Sequence, residues 1–230
     1  MEMTELNLSS KEQNKLVWNH YNLPNIPIYQ TKLPQDIMDR LWGYVSKARV
    51  KYNDNLAGNI DSSYLLDDED NFFFDKVVGP IAYMYANHTH SVTWVPRYNL
   101  LNTKSLMMNR FWVNFQKKHE FNPIHTHSGI VSFVIWMKIP TNSEDQHALP
   151  ISANSNSPAA SNFEFAYSDM LGGHQQYTID LSEKDEGTML VFPAKLCHQV
   201  YPFYECEEDR VSISGNICWN SYDLDYEEEK

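Results

Sequence analysis

The spacing of apolar residues changes character near residue 108. Before it, Ile37, Met38, Leu41, Trp42 and Val45 recur at steps of three and four, which predicts a helix over about residues 35 to 48 with one stripe to bury. Pro34 and Asp36 suit the first turn of that helix. A short strand at Ile26 to Tyr29 precedes it. A second stripe, Phe73, Phe74, Val77, Val78, Ile81, Met84 and Tyr85, predicts a helix over about 70 to 87, which Pro80 kinks or starts.

From residue 108 the period is two. Phe111, Val113 and Phe115 alternate with Arg110, Trp112, Asn114 and Gln116, as in a strand with two unlike faces. Apolar runs then follow at Ile130 to Ile139, Phe163 to Tyr167, Tyr177 to Leu181, Met189 to Phe192, Gln199 to Phe203 and Val211 to Trp219. Short strands separated by turn signals predict a sandwich or jelly roll. The Ser/Asn/Ala/Pro-rich stretch Thr141 to Asn162 offers little to bury and reads as a long mobile loop, suited to a lid.

Composition narrows the class. The 230 residues, 42% hydrophobic and 13% aromatic with 8 glycines, fit one globular domain. We divide it into a helical N-terminal support (1–107), a jelly-roll core (108–220) and an acidic tail (221–230). A net charge of -12 repels polyanions and argues against a nucleic-acid partner, leaving a small molecule, an amino acid or a peptide. Three cysteines in no zinc or redox spacing, a polar N-terminus and no run approaching the ~20 apolar residues of a membrane span predict a cytoplasmic protein without a membrane partner.

The candidate chemistry is concentrated in three segments. Asn122-Pro123-Ile124-His125-Thr126-His127 stands before an apolar strand, and residues two apart on a strand face the same side, so both imidazoles can reach one ion. A third ligand is available at His198, after Gly187 and the Phe192-Pro193 turn. Arg210 and Ser212 share one face of the last strand, a guanidinium beside a hydroxyl, which suits a carboxylate.

In this order and spacing, Met108 to Asn216 resembles the 2-oxoglutarate- and iron(II)-dependent oxygenases, and within them a prolyl-hydroxylase-like branch of phages and marine bacteria. The matching motifs are Trp112-Val113-Asn114, Asn122 to His127, the serine-led strand Ser132 to Met137, Gly187 with Leu190 to Pro193 and His198, and Arg210-x-Ser212. A weaker echo lies at Leu56 to Ile60. The resemblance implies a double-stranded β-helix flanked by helices, with His125, His127 and His198 as iron ligands. Arg210 and Ser212 would take the distal carboxylate of 2-oxoglutarate, with Asn114 and Ser132 as further co-substrate contacts. It also implies an oxidoreductase, a dioxygenase that hydroxylates its substrate and releases succinate and CO2. If phage-encoded, it would act in the host cytoplasm.

The family's commonest second ligand is a carboxylate, and position 127 is histidine, so Glu120 and His119 are rivals for that role. Two other functions fit the same residues. One is a cupin-like three-histidine metalloenzyme that needs no 2-oxoglutarate, and the other is a jelly-roll binding or virion-associated module whose histidines hold a structural zinc or nothing. His88-Thr89-His90, with no strand or anchor after it, reads as a loop, as do the segments of His147 and His174. Trp112 and Trp136 read as core.

Overall fold

A computed structural model of the chain describes residues 3–6, 16–19, 26–88 and 105–220, with side chains for 26–85 and 105–220. The acidic tail, and His88 and His90 as side chains, lie outside what is described. In chain order the elements are β1 (Met3–Leu6), β2 (Leu16–Asn19), β3 (Tyr29–Lys32), α1 (Gln35–Lys47), β4 (Ser62–Leu65), α2 (Gly79–His88), β5 (Leu106–Gln116), β6 (Asn122–His125) and β7 (Val131–Lys138). There follow α3 (Ser143–Ala148), β8 (Phe163–Ser168), β9 (His174–Ile179), β10 (Thr188–Pro193), β11 (Cys197–Val200) and β12 (Arg210–Trp219). β1 and β2 pair with each other.

The larger sheet runs β3-β10-β7-β12-β5-β4 and the smaller β6-β11-β8-β9. All pairings are antiparallel, and the eight strands β5 to β12 alternate between the sheets, except at the β8–β9 hairpin, in the order of a jelly roll. The N-terminal part is not purely helical: β3 extends one edge of the larger sheet and β4 the other.

Two cores explain the sequence pattern. One lies outside the larger sheet, where Met38, Leu41, Phe73, Val78, Ala82 and Tyr85 cover Phe111, Val113, Phe133, Ile135, Val191 and Ile213. The other lies between the sheets, around Val134, Trp136, Phe163, Phe165, Leu190 and Phe192. β7 is covered on both faces, so its sequence reads as one continuous apolar run. The alternation in β5 and β12 has a different origin. Their apolar positions meet the helices, while Trp112, Asn114, Gln116, Arg210, Ser212 and Ser214 line a cavity inside the barrel. A polar face on a central strand, turned inward, is what builds the site.

Several expectations are corrected. The second helical region contains a wide turn, Phe74–Val78, in which the Gly79 N–H reaches back to Phe74 O, and it continues through Pro80 as α2. Thr141 to Asn162 is not a bare loop: it carries α3 and buries Thr141, Ser143, Gln146, Ser161 and Asn162. Gln146 holds it down by donating to Tyr204 O and accepting from Tyr204 N. β9 starts at His174, earlier than the apolar residues indicate, so His174 lies on a strand, and His147 lies in α3.

Candidate active site

β6 ends at His125, and His127 sits just beyond it, so strand geometry alone does not pair the two rings. His127 is placed instead by its backbone N–H, which donates to Ala194 O at 2.7 Å and ties the histidine segment to the turn between β10 and β11. Gly129 then turns the chain into β7 at φ +105°, where a Cβ would lie 2.7 Å from Ile217 O, so no other residue fits there. His198 lies directly opposite His125 in the β11–β6 register.

The three rings meet. Centroids of His125, His127 and His198 lie 4.3 to 4.9 Å apart, and one ligand nitrogen from each falls within 4.8 Å of the others. His125 Nδ1 donates to Pro123 O at 2.7 Å and His198 Nδ1 donates to Leu196 O at 2.9 Å. A carbonyl only accepts, so both rings carry the proton on Nδ1 and leave the Nε2 lone pair free. His198 Nε2 faces His127 Nε2 at 3.1 Å. A proton on His127 satisfies that contact, and so does a cation shared by both lone pairs.

Burial keeps the cluster neutral. His198, packed against the rings of Phe163, Phe192 and Phe165, is pushed down to about 3 by burial and by its histidine neighbours. His127 falls to about 4 through burial, His125 and Lys195, and His125 is lowered chiefly by burial. At neutral pH three imidazoles therefore offer lone pairs rather than protons.

Arg210 lines the same cavity, of about 230 Å³. It is 2% exposed, and burial lowers it to about 10, so it stays charged at neutral pH. Its Nη2 donates to Ser161 Oγ at 2.5 Å and its guanidinium lies 5.1 Å from the centre of the Phe203 ring, yet Nε and Nη1 have no partner among the described residues. Ser161 adopts φ +71° and also bonds Thr141 Oγ1 at 2.9 Å, so the stretch that composition marks as a loop supplies the hydroxyl that holds Arg210. Among the described residues no carboxylate lines the cavity. A buried cation with two unpartnered donor nitrogens is unusual unless an anion completes it.

Of the other expected residues, Ser212 and Asn114 line the cavity, side by side in register, and Asn114 Oδ1 accepts from Ser63 Oγ at 2.7 Å. Ser132 is buried and is not among the residues that line the cavity, and its hydroxyl donates to Asn216 Oδ1 at 2.8 Å. The rivals for the second ligand stand apart from the cluster: Glu120 accepts from the backbone of Asp61 and Lys117, and the His119 ring packs on Tyr204. Sequence reasoning missed Ser161 and Gln116, polar residues that carry no motif. Leu56, Ala57, Gly58 and Ile60 do line the cavity, held by the Asn59 N–H to Phe121 O bond at 2.8 Å.

Residues 110–216 match the model of a family described as "Putative 2OG-Fe(II) oxygenase". This segment is therefore similar to the 2-oxoglutarate/iron(II) oxygenases. The enzyme is accordingly a 2-oxoglutarate-dependent dioxygenase, with iron(II) as its metal and 2-oxoglutarate as its co-substrate. No curated relative matches the sequence. Among solved structures, the chain is similar to a Pseudomonas putida prolyl-4-hydroxylase, at 12% identity over 85% of this chain and 94% of that one, with a TM-score of 0.47. It is also similar to a Trichoplax adhaerens prolyl hydroxylase solved with a hypoxia inducible factor peptide fragment, at 11% identity over 86% and 84% of the two chains and a TM-score of 0.48. A Burkholderia pseudomallei oxidoreductase of the 2OG-Fe(II) oxygenase family gives 11% identity, 82% and 85% coverage and a TM-score of 0.47. At these scores the strand order, not the likeness, carries the fold.

The oxygenase cavity fits both groups. Neutral imidazoles with free Nε2 lone pairs suit a divalent metal, and an unpaired guanidinium in the same cavity suits a dicarboxylate. No helix of the described residues is long and apolar enough to cross a membrane.

Proposed function

We propose that His125, His127 and His198 hold the iron, that Arg210 and Ser212 take the distal carboxylate of 2-oxoglutarate with Asn114 beside them, and that the enzyme hydroxylates a peptide, amino acid or other small molecule. In the balanced reaction, substrate R–H, O2 and 2-oxoglutarate give R–OH, succinate and CO2. The observation that carries this reading is the pairing, in one cavity, of a three-imidazole cluster with a buried guanidinium that has no counter-ion. The guanidinium also favours it over a cupin-like enzyme that uses no 2-oxoglutarate, because such an enzyme leaves that charge without a purpose.

When bound, iron(II) supplies the activation of dioxygen. The chain's own residues do the rest. The Nδ1–H bonds to Pro123 O and Leu196 O hold His125 and His198 in the tautomer that donates through Nε2. Phe163, Phe165 and Phe192 wall the His198 side against water. Ser161 fixes one arm of Arg210 and leaves the other nitrogens for a carboxylate. Among the described residues Arg210 is the only formally charged side chain in the lining, which suits a substrate whose part near the metal is uncharged.

The test is succinate release with iron(II), 2-oxoglutarate and a library of peptides and amino acids. The reading expects release that requires the metal and is stimulated by at least one library member. Metal binding with no succinate formed under any condition contradicts it.

A further inference from the structure

Trp112 has a polar group that nothing above uses. Its indole is 3% exposed and lines the cavity, with its ring centre 5.7 Å from that of His127 and 5.9 Å from that of Tyr52. Nε1 is buried and has no hydrogen-bond partner among the described residues. Buried indole N–H groups ordinarily have one, so an orphan on a cavity wall points to an acceptor that arrives with a ligand.

Register locates that acceptor. Trp112 is level with Ser214 on β12 and Arg210 is level with Gln116, four residues along β5, or roughly 13 Å at strand spacing. The two residues that carry the orphaned donors therefore sit four positions apart along the paired strands, with the indole ring beside that of His127. With no carboxylate among the described lining residues, a single occupant with an acceptor at each end satisfies both. The indole nitrogen is closed to solvent in the same way as Arg210 Nε and Nη1. We propose that Trp112 Nε1–H donates to the 2-oxo acid end of 2-oxoglutarate, making Trp112 a co-substrate-binding residue. This inference rests on the placement of metal and co-substrate proposed above.

Trp112→Phe keeps a ring against His127 and Tyr52 and removes the N–H. Affinities for 2-oxoglutarate and for pyruvate, which has the 2-oxo acid group but no distal carboxylate, are measured by anaerobic calorimetry on Mn(II)-loaded protein. Loss of a hydrogen bond to a charged group predicts a Kd on the order of tenfold to a hundredfold higher for both ligands, with Mn(II) affinity and metal-free melting temperature as in the parent. Arg210→Met, by contrast, is expected to weaken 2-oxoglutarate alone. A Trp112→Phe protein that binds both ligands like the parent overturns the inference and leaves the function standing. A parent that binds neither overturns the function and the inference with it. Should the variant fail to fold, indole N–H NMR of the Zn(II)-loaded parent decides: the Trp112 resonance moves downfield on adding pyruvate if the inference holds, and its staying in place overturns it.

Discussion

Replacing Arg210 by methionine should separate stability from binding. In the ligand-free protein the guanidinium makes one side-chain hydrogen bond, to Ser161, and leaves Nε and Nη1 desolvated without partners. Losing the bond costs about 1 kcal/mol, and losing the orphaned charge returns a similar amount, so the metal-free variant should unfold within ~1 kcal/mol of the parent in urea. Binding responds differently. Removing one partner of a buried charge pair costs about 3–5 kcal/mol, which raises the Kd for 2-oxoglutarate on the order of a hundredfold to several thousandfold. Anaerobic calorimetry on Mn(II)-loaded protein reads this directly, with pyruvate as the internal control whose affinity should hold. Equal 2-oxoglutarate affinity in variant and parent would refute the assignment of the guanidinium. A large loss of metal-free stability would refute the claim that it lacks a counter-ion.

Acid should destabilise the metal-free protein through the histidine cluster. His127 and His198 are held at about 4 and 3 when folded, against about 6.5 unfolded, so the unfolded chain binds more protons in between. The stability they support is complete above about pH 6.5 and falls as pH drops towards those values; urea unfolding at pH 7.5 and 5 should differ by at least ~1 kcal/mol, and equal midpoints would contradict the burial argument. Gly215→Ala would place a Cβ 2.4 Å from the Phe133 ring and 2.7 Å from Arg110 O, so it should destabilise by about 1–3 kcal/mol in urea unfolding, and a parent-like midpoint would show that the core yields there. Ser161→Ala removes the one side-chain partner of Arg210 and should raise the Kd for 2-oxoglutarate about tenfold or less, well below the effect of Arg210→Met; an equal effect would mean that Ser161 positions the guanidinium entirely.

The strands that carry the site were legible because their two faces differ. Phe111, Val113, Val211 and Ile213 must meet the helices, which leaves Trp112, Asn114, Arg210 and Ser212 on the opposite face. Periodicity alone does not say whether a polar face looks out to water or into a cavity, and the motif His125-Thr126-His127 was needed to choose. β9 was read only in part because it is an exposed edge strand whose polar start, His174-Gln175-Gln176, buries nothing. Thr141 to Asn162 reads as a bare loop for the opposite reason: its buried groups are polar and several make hydrogen bonds such as Thr141 to Ser161, which hydropathy does not register. Ser132 matched a motif in sequence, but its hydroxyl is spent on Asn216, and only coordinates reveal such a pairing.

The most direct test of the central claim is an anaerobic iron(II) titration of the parent and of His198→Ala, each with and without 2-oxoglutarate. The account predicts one tightly bound iron per chain in the parent, 2-oxoglutarate uptake only when that iron is present, and loss of both in the variant. Iron bound equally well after the change at residue 198, or 2-oxoglutarate bound without metal at undiminished affinity, would contradict it.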